Sequence, residues 1–168
     1  MNLPDNETEM EKVAANARGR VLHEVVKLEK AIEIFISIYI GRKGARTLLF
    51  KKLLIGINTR TKLNFFFETT LDFKKSDFIS KYPDYAKDLN IIIGIRNSLA
   101  HDILDVGNDL ILNFSYENAF KLVNFKNKTE PIYFTSDKID ETVALIQKYA
   151  NAITDLYEGL YAQEPPSD

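Results

Sequence analysis

The sequence predicts a mainly α-helical bundle of about five helices, with a small β-hairpin or flap between the last two major helices. Three observations carry that reading: an apolar stripe of helical period near the start, a second one near the end, and one short region where apolar residues alternate instead. A chain of 168 residues, 45% hydrophobic and 27% charged, is long enough for one domain with a real core and too short to expect two. The expectation is a single domain over 1–162 and a disordered tail over 163–168, where Pro165 and Pro166 follow one another.

Val21, Val25, Leu28, Ile32, Phe35 and Tyr39 recur at steps of four and three, which places them on one face of a long first helix ending near Gly41. Residues 45–57 and 61–73 read as helical, and a short helical turn is expected around Phe78. Pro83 then opens a helix from about 84 to 104, since proline suits a first helical turn. The last helix carries Ile139, Val143, Ile146, Ala150, Ile153, Tyr157 and Leu160, with Ser136 or Asp137 as N-cap and acidic Asp140 and Glu141 in its first turn. Over 109–134 the pattern changes. Leu110, Leu112 and Phe114, then Leu122, Phe125, Ile132 and Phe134, alternate more than they cycle, with Gly107-Asn108 and Asn127-Lys128 as turn signals. This is a small antiparallel hairpin or three-stranded flap, an ordered loop with one hairpin being the competing reading.

The net charge of −2 gives no global basic signature, so any phosphate-binding site has to be local. Without cysteine there is no disulfide framework or thiolate metal site, and the two histidines, His23 and His101, lie far apart. No metal and no cofactor are expected. The start, MNLPDNETEMEK, is polar and acidic, and no apolar run approaches the length of a membrane span. A cytoplasmic protein with no membrane partner is the expectation.

Arg96-Asn97-Ser98-Leu99-Ala100-His101 combines a permanent cation with a titratable imidazole on the same helix. Residues five apart are separated by about 140° of arc, so Arg96 and His101 do not share a face. Asn90, Gly94, Asn97 and His101 do share one, opposite Leu89, Ile92, Ile95, Leu99 and Ile103. A glycine inside a helix costs about 1 kcal/mol relative to alanine, which asks for a compensating reason, and a close approach by a twofold-related copy is the simplest. The Asn90-Gly94-Asn97-His101 stripe is therefore the expected homodimer interface.

The string RNSLAH resembles the Arg-x4-His signature of the HEPN superfamily, in which the motif sits late in a long helix and often has Asn after Arg and Ala before His. The resemblance implies a dimer with both motifs lining one groove, and metal-independent RNA cleavage of the toxin or phage-defence kind. Under it, His101 acts as general base on a ribose 2′-hydroxyl or as acid to the leaving oxygen, and Arg96 clamps the scissile phosphate. Asn97 orients the imidazole or contacts the phosphate. Toxins of the family silenced by nucleotide transfer carry a tyrosine two residues after the motif histidine, where this chain has Ile103. Residues 16–40 together with KDLNIIIGIRNSLAHD also resemble the mannitol-operon regulators of the superfamily, although those have a bulky aromatic where Leu99 stands. That points to the alternative, a non-catalytic dimer acting as a regulatory module that binds RNA, a ligand or a protein. An antitoxin or regulatory protein is a further partner that the resemblance implies.

No acidic residue falls between Glu33 and Glu68, while Arg42, Lys43, Arg46, Lys51, Lys52, Arg60 and Lys62 all do. The segment is either a track for an RNA backbone or an ordinary solvated surface. Plainer roles compete elsewhere. His101 can be a helix-terminal histidine satisfied by Asp102 or Asp105, His23 a solvated residue, Glu29 and Glu33 a solvated or salt-bridged face, and Phe65-Phe66-Phe67 core packing.

Overall fold

The computed structural model describes residues 3–40, 54–72, 77–107, 119–124 and 132–162. It is mainly helical: α1 spans Leu3–Ile40, α2 Thr59–Asp72, α3 Asp77–Lys81, α4 Tyr85–His101 and α5 Ser136–Ala162, with a 3-10 turn at Leu54–Gly56. Between α4 and α5 stand β1 (Ile103–Leu104), β2 (Phe120–Val123) and β3 (Ile132–Phe134), an antiparallel sheet in the order β1-β2-β3. The expected flap is thus a three-stranded sheet. Its register pairs Ile103 with Val123 and Lys121 with Tyr133. Alternation sends Phe120, Leu122 and Phe134 into the interior and leaves Tyr133 exposed.

Several boundaries differ from the sequence expectation. The first helix begins at Leu3, well before Val21, where the stripe read from the sequence starts: Met10, Ala14 and Ala17 extend the buried stripe in steps of four and three. Alanine is too weakly apolar to mark that stripe among Asn, Glu and Lys. The motif helix ends at His101, three residues short of Leu104, and Ile103 is an exposed strand residue rather than part of the helix's apolar side. The cap of α5 is Thr135, one residue before the expected pair: its hydroxyl accepts from Lys138 N at 3.2 Å and its carbonyl from Ile139 N at 3.0 Å. Thr135→Ala is expected to lower the unfolding free energy by about 1 kcal/mol, read as a shifted urea midpoint with unchanged slope. The helix expected over 45–57 falls mostly outside the described residues, as do Leu110, Leu112, Phe114, Phe125 and the tail over 163–168.

The chain groups into two compact units, and α1, α4 and α5 each contribute a part to both. The unit made of Met1–Val25 and Ile92–Leu145 contains the sheet and the whole Arg96–His101 motif. Val21, Ile92, Leu99, Phe120, Phe134 and Ile139 are buried in it, with Phe120 and Phe134 stacked at 5.4 Å.

The unit made of Val26–Ile91 and Ile146–Asp168 is built around Phe66, which is fully buried and meets Phe35, Phe78 and Tyr85 edge-on at 5.2, 6.2 and 6.2 Å. Of the aromatic triplet, Phe66 is core, Phe67 packs on Tyr85 at 5.8 Å, and Phe65 is 42% exposed. Asn58 caps α2 by accepting from Thr61 N at 2.9 Å. Glu29 accepts from Thr59 Oγ1 at 2.7 Å, and Lys62 Nζ meets Glu33 Oε1 at 2.5 Å with both side chains buried. Tyr149 is fully buried and donates to Asp88 at 2.6 Å. Burial, with the Asp88 carboxylate adding to it, holds its phenol well above the ordinary tyrosine range.

Candidate functional site

Helix α4 exposes one stripe: Asn90, Gly94, Asn97, Ala100 and His101 are all open, while Leu89, Ile92, Ile93, Ser98 and Leu99 are buried. The face expected to dock a second copy is therefore solvent-facing in the single chain. A Cβ built on Gly94 would meet nothing within 4 Å, so packing inside the chain does not require a glycine there. Ile91 (45%) on α4 and Ile103 (60%) on β1 are exposed aliphatic residues.

Arg96 is half-buried and its Nη1 donates to Asn97 Oδ1 at 3.0 Å. His101 is exposed and makes no hydrogen bond among the described residues. Asn97 thus orients the guanidinium, not the imidazole as the sequence suggested. Among the described residues no side-chain hydrogen bond joins Arg96 or Asn97 to His101; Arg96 is separated from His101 by about 140° of arc, while Asn97, one turn before His101, is bonded to Arg96 instead.

The carboxylates expected to satisfy His101 are committed elsewhere. Asp102 accepts from Ser98 Oγ and from Asn124 Nδ2 at 2.7 Å, while its carbonyl accepts from Arg18 Nη2 at 2.9 Å. Asp105 lies 2.7 Å from Lys121 Nζ and also accepts from Gly107 N at 3.0 Å. The Lys121 hydrogen bond holds the Asp105 carboxyl below its usual range, and the same bond raises the Lys121 ammonium. Ser98, Asn124 and Arg18 are not among the sequence candidates, and Asp102 enters there only as a partner for His101. Ser98 and Asp102 share an i,i+4 spacing that could have drawn notice, but nothing in the sequence ties them to Arg18 or Asn124.

The remaining sequence candidates scatter. Asn90 accepts from Arg60 Nη1 at 2.6 Å and donates to the Ala86 carbonyl at 2.7 Å, so that end of the stripe is already engaged inside the chain. Arg60 is exposed. Lys62 is corrected: buried and paired with Glu33, it is not a cation open to an RNA backbone. Arg42, Lys43, Arg46, Lys51 and Lys52 lie outside the described residues. His23 is exposed, as expected. Glu29 and Glu33 are bonded to Thr59 and Lys62, with Glu33 buried. Among the described residues no group of three or more His, Asp or Glu side chains could hold a metal ion, and no helix is long and apolar enough to cross a membrane.

Compared with protein-family models, with curated proteins and with solved structures, the chain matches none.

Proposed function

We propose that this chain is an HEPN-like, metal-independent endoribonuclease of the toxin or phage-defence kind, acting in the cytoplasm as a homodimer. The observation that carries the reading is His101 at the end of α4: exposed, its ring without a hydrogen-bond partner among the described residues, beside two aspartates whose carboxylates are bonded to other groups. An imidazole left open in that way is accessible to a substrate for proton transfer. Arg96, held by Asn97 on the same helix, is the cation for the phosphate.

Two copies meeting along Gly94, Asn97 and His101 would bring two histidines and two arginines to one groove. The ribose 2′-oxygen then attacks phosphorus as one His101 takes its proton. The bond to the 5′-oxygen breaks, and the other His101 protonates that oxygen. Arg96 stabilises the additional negative charge of the transition state through its guanidinium fork. The products are a 2′,3′-cyclic phosphate and a 5′-hydroxyl. A cognate antitoxin or other regulatory protein is the further partner of this reading.

The test is RNA cleavage in EDTA combined with sedimentation. Wild-type protein is expected to sediment as a dimer at micromolar concentration and to cleave. Gly94→Leu, which puts an isobutyl group into open space on the stripe, is expected to leave folding intact, block the dimer and remove most cleavage. A monomeric wild type that cleaves at full rate contradicts the composite site. A dimer that binds RNA without cutting it favours the non-catalytic regulatory module.

A further inference from the structure

We propose that Asp102 is a positioning residue for His101, holding the end of α4 so that the imidazole projects in one direction; this rests on the reading of His101 as the acid/base group. A helix end leaves its last carbonyls without intrahelical partners and frays unless they are satisfied. His101 occupies such an end, and its ring is bonded to nothing among the described residues, so what the fold fixes is the backbone: the place of its Cα and the direction of its Cα–Cβ bond.

That backbone is tied at the next residue from three elements. Ser98, one turn earlier on α4, donates its hydroxyl to the Asp102 carboxylate, and its carbonyl accepts from the Asp102 N–H at 2.9 Å. Asn124, just past β2, donates to the other carboxylate oxygen. Arg18 of α1 donates to the Asp102 carbonyl, placing a cation at the negative end of the helix. Arg18 Nε is buried and has no hydrogen-bond partner among the described residues. Bonds to a carboxylate are shorter and stronger than neutral ones, which suits a fixed point. Misplacing a catalytic group by about 1 Å can cost about a hundredfold in rate, so a frayed last turn would act on turnover before it acted on RNA affinity.

The test compares Asp102→Ala with Asp102→Asn in the full chain. Asparagine keeps an acceptor for Asn124, and its amide can donate to the Ser98 hydroxyl; alanine removes both bonds. Amide hydrogen exchange over residues 99–103 is expected to quicken about tenfold in Asp102→Ala and to stay near wild type in Asp102→Asn. On RNA, kcat of Asp102→Ala is expected to fall about tenfold to a hundredfold with KM within about twofold, and Asp102→Asn to recover most of the loss. Should Asp102→Ala not fold, Asn124→Ala removes one of the two bonds and is expected to give a smaller change of the same sign in both readouts. Unchanged exchange over 99–103 in folded protein overturns the proposal, as does wild-type kcat in Asp102→Ala when His101→Ala is inactive. A fully active His101→Ala protein would sink the ribonuclease reading instead, and the exchange result would still decide whether Asp102 holds the helix end.

Discussion

His101→Ala protein is expected to fold and dimerise as wild type while its turnover on RNA falls by about 10²–10⁴-fold, the usual worth of a positioned general acid or base. The side chain is exposed and makes no hydrogen bond among the described residues, so its removal should change stability by no more than about 0.5 kcal/mol. That separation of effects is the informative part. A histidine serving as a structural helix cap would show the reverse pattern, with a lower unfolding midpoint and little change in rate. Arg96 should behave differently from His101: it is half-buried and bonded to Asn97, so removing it should disturb both rate and local packing.

The second large effect concerns stability. Glu33→Leu leaves the Lys62 ammonium buried without its counter-charge and is expected to cost about 3–5 kcal/mol. Replacing both, as Glu33→Leu with Lys62→Met, should recover most of that loss, because an apolar pair of similar volume avoids the desolvation of two ions. Urea midpoints of the single and double variants measure the coupling directly. Lys62→Glu, the change that an RNA-track reading would invite, would set two carboxylates against each other in the interior. Any loss of RNA affinity in that variant should therefore be traced to unfolding.

Periodicity alone located most of the architecture. The stripes from Val21 to Tyr39 and from Ile139 to Leu160 are read from spacing because large apolar side chains recur at every turn. The part of α1 before Val21 carries little signal in the sequence because Ala14 and Ala17 bury little area each and sit among polar neighbours. The end of the motif helix escaped for another reason: Ile103 and Leu104 continue the apolar pattern of α4, and only their pairing with Val123 and Leu122 makes them a strand. Long-range pairing overrides local propensity in such cases.

The candidate site was legible to a similar degree. Arg96, Asn97 and His101 declare themselves by residue type and spacing, and the openness of the stripe through Gly94 follows from its polarity. What could not be read was which polar group bonds to which. Asp102 and Asp105 are both near enough in sequence to satisfy His101, yet Asn124, Arg18 and Lys121 arrive from 16 or more residues away and take them. For the same reason Lys62 looked like one more member of a basic run until Glu33 was found beside it.

The central claim is that two copies of His101 perform a transesterification that needs no metal, and the chemistry of the cut ends tests it most directly. RNA incubated with wild-type dimer in EDTA, beside a His101→Ala preparation purified in the same way, should yield 5′-hydroxyl ends and 2′,3′-cyclic phosphates with the wild type alone. Equal cleavage by the two preparations, or cleavage lost in EDTA and restored by magnesium with 5′-phosphate ends, would contradict it.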